Sequence, residues 1–128
     1  MFNFFDLIGR VFLSSVFLFS GYNKIINFSE TVSWMEGFGI PGFLLWPTIV
    51  LEIILPVLII IGYRTRMSAI ILAAFCIITG LIFHLDFGNQ MQTVALLKNL
   101  GLAGGFIFLV INGPKDWALD KKKKYVRL

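Results

Sequence analysis

The sequence predicts an all-α integral membrane protein, a four-helix bundle with both termini on the cytoplasmic side. Three observations carry this prediction. Of 128 residues, 58% are hydrophobic and 14% charged, the apolar residues fall into four long stretches, and the basic residues gather at one side of those stretches. Mean hydropathy is +0.87. A soluble chain this small has too much surface to hide so much apolar material from water. Lipid removes that difficulty, because apolar side chains can then face outward as well as inward.

A spanning helix needs ~20 mostly apolar residues to cross a hydrocarbon core of ~30 Å. Residues 4–22, 43–61, 67–83 and 94–111 supply four such segments. The third is the shortest, and its flanking residues can snorkel or tilt to make up the length. Helices follow because lipid offers no partner to an open backbone N–H or C=O. A transmembrane β-barrel would alternate apolar and polar residues at period two, and these stretches do not.

The breaks carry their own signals. Gly21 with the polar Asn23 and Lys24 ends the first segment, and Gly39-Ile40-Pro41-Gly42 leads into the second. Gly62-Tyr63-Arg64-Thr65-Arg66 is a tight basic turn between the second and third. Residues 84–90 join the third to the fourth, and Asn112-Gly113-Pro114 stops the last helix, with Gly suited to a C-cap and Pro unable to continue. Residues 1–114 thus form the transmembrane domain and residues 115–128 a basic cytoplasmic tail.

Charge sorts the loops. Arg64, Arg66, Lys115, Lys121 to Lys124 and Arg127 fall at one side of an even-numbered bundle, against Lys24, Glu30, Glu36 and Asp86 at the other. The positive-inside rule then places both termini and the Arg-Thr-Arg turn in the cytoplasm. The net charge of +4 does not describe a nucleic-acid binder, because five of the eleven basic residues sit in the last eight. A lysine run directly after an apolar helix is a topology anchor beside anionic headgroups, whereas nucleic acid calls for a basic, aromatic-lined groove. The partner that composition implies is the lipid bilayer. A single cysteine, Cys76, excludes an internal disulfide, and a single histidine, His84, excludes zinc clusters and several haems held by paired histidines. The start has no basic n-region and no clear small-x-small cleavage site, which argues against a cleaved signal peptide.

The external loop, residues 23–42, is long for a bundle connection. Its apolar residues, including Phe28, Trp34 and Phe38, suit either an interfacial anchor or a lid folded over the bundle mouth, and the anchor is favoured. Ser29 and Glu30 could open a short helix there. Gly101 and Gly105, and Ala69 and Ala73, form small-x-x-x-small pairs suited to close helix packing.

Ionisable residues within apolar stretches are the candidate site. Each costs ~2.5–3.5 kcal/mol at a helix centre and should turn inward or find a partner. Glu52 lies near the middle of the second segment, four residues before Pro56, whose ring lacks an N–H and crowds the Glu52 carbonyl. A carboxylate and a freed carbonyl at one depth invite a donor. Arg10 and Lys98 are both candidate partners, with depth favouring Arg10 slightly. His84, beside Asp86 at the outer end of the third segment, reads first as an interfacial polar group, with a proton shuttle or an axial ligand as the alternatives. Asn99 could bond a backbone carbonyl across helices. These groups form either a register-fixing ion pair or a polar pocket for a quinone-like or other amphipathic ligand. No nucleotide-binding glycine loop or nucleophile–base pair is present, so the chain carries no independent catalytic constellation.

The chain resembles the DoxX family of small bacterial membrane proteins. The resemblance rests on an ordered series: Ile8-Gly9-Arg10, Phe17-Leu18-Phe19-Ser20-Gly21-Tyr22-Asn23-Lys24, Pro41, Glu52, Gly62-Tyr63-Arg64-Thr65-Arg66, His84, Lys98-Asn99-Leu100, and Gly113-Pro114 with Asp120. It implies a four-helix protein of the bacterial cytoplasmic (inner) membrane that accompanies oxidoreductases, as in the membrane subunit of thiosulfate:quinone oxidoreductase. On that resemblance Arg10, Lys24, Glu52, His84 and Asn99 become the polar positions of interest. The function it suggests is a subunit or accessory protein of a redox system, with quinone a possible ligand and other membrane subunits as partners. The alternative is a non-catalytic structural or assembly subunit of a larger membrane complex.

Overall fold

A computed structural model of the chain describes residues 1–120. The basic run Lys121 to Lys124 and Arg127 lies outside the described residues. Five helices follow one another: α1 (Phe2–Ile26), α2 (Phe28–Gly37), α3 (Leu45–Ile61), α4 (Thr65–Phe83) and α5 (Gln90–Asn112). A single 3₁₀ turn, Gly42–Leu44, leads into α3. Four of these segments are long and apolar enough to cross a membrane: α1, Gly42–Ile61, α4 and α5. No strand occurs among the described residues.

The outer surface is what a soluble bundle could not afford. Phe12, Phe19 and Phe108 are each about two-thirds exposed (68%, 67% and 68%) on the flanks of α1 and α5. Aromatic side chains presented this way to water would cost on the order of 2 kcal/mol apiece, and against acyl chains they cost nothing. The inward core is correspondingly small, with Phe17, Ile59, Leu72, Cys76 and Phe106 at its centre. Helix α1 packs chiefly on α3, and α4 chiefly on α5. Phe17 joins the two pairs, its ring 6.2 Å from that of Phe75 and 5.6 Å from that of Phe106.

Small residues act where helices meet. A Cβ at Gly105 would lie 2.8 Å from Leu13 Cδ2, so α5 approaches α1 there, while one at Gly101 would meet nothing within 4 Å. The Gly-x-x-x-Gly pair is therefore split, with one glycine in a helix contact and the other on an open face. Ala69 and Ala73 are both buried in the core.

The start of α1 and residues 115–120 meet at one end of the bundle, the terminal end. Helix α3 stops in a Schellman turn: Gly62 (φ +73) donates to the Ile59 carbonyl at 3.2 Å, and Tyr63 to that of Leu58 at 2.9 Å. The segment after α5 then folds back across this turn. Leu119 N donates to Ile61 O at 3.1 Å, and Asp120 N to Gly62 O at 2.7 Å. The Asp120 carboxylate accepts from the amides of Arg64 (2.7 Å) and Thr65 (2.9 Å), so a residue far along the chain caps the start of α4. Asp6 accepts from the Lys115 amide at 3.0 Å, closing α1 onto the same strap.

The segment predicted as an external loop is largely helical. Helix α1 runs on to Ile26, so Lys24 belongs to its last turn, and α2 occupies most of the remainder. It starts at Phe28, one residue ahead of the Ser29–Glu30 pair. The Trp34 ring stacks on Phe83 at 4.4 Å and 24°, Phe38 meets Phe83 edge-on at 5.0 Å, and Met35 is buried. Helix α2 is thus folded over the mouth of the bundle, because its aromatic face finds a partner on α4.

Candidate functional site

Beneath α2 lies a cavity of about 410 Å³ that draws on all the helices. Its walls are mostly apolar, and its polar groups converge from all five helices. At its centre the Lys24 ammonium donates to both oxygens of Glu52, at 3.0 and 3.1 Å, and to Ser20 Oγ at 2.6 Å. The Glu52 side chain is 3% exposed and that of Lys24 23%. Either charge alone at this depth would be expensive; together, with the hydroxyl, they satisfy one another.

Local sequence explains how the pair forms. Ser20 and Lys24 stand four residues apart on one face of α1. Between them Gly21 lets α3 come close: a Cβ there would lie 2.7 Å from Ile53 Cδ1 and 3.3 Å from Glu52 Cβ. That approach brings the long lysine side chain within reach of the carboxylate. Helix α3 runs unbroken through Pro56, with Glu52 and Pro56 both buried.

The partner of Glu52 is thus neither Arg10 nor Lys98. Arg10 lies at the terminal end, 1% exposed, with Nε on Asp6 at 3.0 Å and Nη1 on the carbonyls of Ile59 (3.0 Å) and Ile60 (2.8 Å). Its Nη2 donates to the Trp117 carbonyl. The last carbonyls of α3 have no intrahelical donor, and a cation is favoured at the negative end of a helix dipole, which is why the guanidinium settles there. Lys98 is exposed on the outside of α5 and does not line the cavity. Of the six residues singled out, Lys24, Glu52, His84 and Asn99 share the cavity wall, and Arg10 and Lys98 do not.

His84 also differs from expectation in its partner. Its Nδ1 lies 2.6 Å from Gln92 Oε1, while Asp86 turns away to accept from the Gly88 amide at 3.2 Å. An amide oxygen can only accept, so in this contact the ring donates its Nδ1–H to Gln92. Asn99 Nδ2 lies 3.5 Å from Thr79 Oγ1 across the α4–α5 contact, so it meets a side-chain hydroxyl in place of a backbone carbonyl. Ser20, Gln92 and the threonines of the wall, Thr31, Thr48 and Thr79, escaped the sequence reading. Ser20 alone left a signal, its spacing of four from Lys24.

Four apolar spans around a buried ion pair define a multi-pass membrane protein. The DoxX family model matches residues 5–85, and the chain belongs to this family. It is similar to two Escherichia coli K12 proteins, inner membrane protein YqjF (34% identity, covering 90% of this chain and 88% of the relative) and inner membrane protein YphA (30%, 91% and 88%). It is also similar to the Surfeit locus protein 4 homolog of Drosophila melanogaster, 29% identical over 95% of this chain but 42% of that longer protein. No solved structure matches it. With relatives of this kind and four apolar spans, the chain is a multi-pass protein of the inner membrane.

Proposed function

We propose that this DoxX-family protein is a subunit or accessory protein of a membrane redox system that holds the ring of a quinone-like molecule in the cavity beneath α2. The observation that carries this reading is the Lys24–Glu52 pair set into a mostly apolar cavity of about 410 Å³, within the size range of small-molecule sites. A quinone carbonyl accepts hydrogen bonds, which the Lys24 ammonium can donate by turning one N–H from Ser20 to the ligand; a quinol hydroxyl donates, which Glu52 can accept. The apolar wall suits the ring and its substituents. The protein's part is binding and orientation, and electrons are exchanged with a partner subunit.

The test uses Trp34, whose ring lines the cavity and whose emission a bound quinone quenches. In nanodiscs, a short-tailed benzoquinone should quench saturably. Losing a hydrogen bond to a charged group costs about 1.5–3 kcal/mol, so Lys24→Met should weaken binding by about tenfold or more. Quenching that never saturates, or that is the same in wild type and variant, would remove the proposal.

The orientation belongs to the same reading. Arg64, Arg66 and Lys115 stand at the terminal end and Glu30, Glu36 and Asp86 at the other, which supports a cytoplasmic terminal end. The cavity then lies in the outer half of the membrane. A green fluorescent protein fused at the C-terminus should fluoresce and an alkaline phosphatase fused there should be inactive; the reverse pattern would turn the molecule over.

A further inference from the structure

The cavity under α2 has a rim as informative as its floor. Val16 on α1 and Ile78 and Ile82 on α4 line it, yet each also reaches the outer surface of the bundle, at 48%, 56% and 38% exposure. Val16 lies mid-helix in a 25-residue span. Ile78 lies more than a turn inside the end of α4, which closes at Phe83. Val16 and Ile78 therefore sit at hydrocarbon depth, where the surrounding medium is acyl chain. Toward the opposite end of the bundle, α2 covers the cavity, with Thr31, Trp34 and Met35 in its wall and Trp34 stacked on Phe83. Charge speaks to the occupant. Lys24 and Glu52 already neutralise each other, with Ser20 taking a further ammonium proton, so the floor offers dipoles and hydrogen bonds but no net charge. A charged molecule would have to shed its water with no counter-charge waiting, whereas an uncharged amphipath would not.

The geometry points to a site filled sideways from the bilayer, by an uncharged lipid-dissolved molecule, with α2 barring direct access from the aqueous phase. This deepens the quinone reading, and rests on it only for the identity of the occupant. The access route is testable without a quinone, because the chain's single cysteine, Cys76, lines the same cavity and is 2% exposed.

The purified protein in nanodiscs is treated with phenylmercuric acetate, which partitions into lipid, or with p-chloromercuribenzenesulfonate, whose sulfonate keeps it in water. Modification of Cys76 is followed by intact mass. Phenylmercury should label the thiol at least tenfold faster than the sulfonate. Ile78→Trp, which fills the rim, should slow the phenylmercury reaction at least tenfold. Ile78→Ala, which widens it, should not slow it, and a thermal melt on each variant confirms that it is folded. Equal rates for the two reagents would show aqueous access and overturn the inference. So would failure of both to react, or a folded Ile78→Trp variant that labels like wild type. Quinone quenching of Trp34 in the same nanodiscs reads the occupant separately: selective labelling without quenching keeps the route and removes the quinone.

Discussion

Replacing Arg10 with alanine will destabilise the protein by about 3–5 kcal/mol, the range for removing one partner of a buried ionic network. The guanidinium joins three separate parts of the chain: Asp6 one turn earlier, the carbonyls of Ile59 and Ile60 at the end of α3, and that of Trp117 in the returning strap. Alanine takes one donor from each of those carbonyls, leaving Ile59 only its bond from the Gly62 amide, and leaves Asp6 without its cation. Arg10→Lys should fall between wild type and alanine, because an ammonium lacks the planar fork that reaches acceptors in three directions. Equilibrium unfolding in mixed micelles measures the change. The folded fraction of either variant should still bind the cavity ligand, since Arg10 is absent from the cavity wall. An alanine variant as stable as wild type would show that the clasp contributes nothing. Loss of binding in a fully folded variant would show that the two ends of the bundle are coupled.

That outcome bears on what a sequence can reveal about a membrane bundle. The four spans were legible because they depend only on the summed transfer free energy of some twenty side chains, which no tertiary detail can reverse. Burial of Arg10 and Glu52 was legible for the same reason, since lipid penalises a deep outward charge. Lys98 departs from it because it stands about two turns from the start of α5, near enough for its long side chain to reach toward the membrane surface. Their pairing was not, because several polar groups can satisfy each one, and the choice turns on helix approach at the scale of an ångström. Gly21 illustrates the point. In the sequence it reads as a helix stop, and in the structure it is the contact that lets Lys24 reach Glu52. In the sequence Lys24 consequently reads as a loop residue, although Ser20 and Lys24 have helical spacing. Helix α2 was ambiguous for a related reason. An aromatic segment between spans has the same composition whether it lies among headgroups or over a cavity, and only the Trp34–Phe83 stack decides between them.

The ion pair at Lys24 and Glu52 is expected to separate folding from function when it is removed in halves and then whole. Lys24→Met strands a carboxylate that is 3% exposed and should cost about 3–5 kcal/mol. Glu52→Leu should cost less, about 1–3 kcal/mol. Lys24 stands in the last turns of α1, so its ammonium, once released, can swing toward the membrane surface. Glu52 sits deep in α3 on a shorter side chain and has no such escape. The double variant, Lys24→Met with Glu52→Leu, should regain most of the stability lost by Lys24→Met alone, because two apolar groups of similar bulk leave nothing unpaired. A double-mutant cycle by unfolding in mixed micelles would then give a favourable coupling for the pair. Binding is expected to follow a different order. All three variants should bind the quinone at least about tenfold more weakly, and the stable double variant most informatively, since its cavity is intact in shape but lacks its hydrogen-bonding floor. If the double variant is stable and binds as wild type does, the ion pair serves only to hold α1 against α3. The cavity would then be a packing defect filled by lipid, and the functional reading of this site would have to be abandoned.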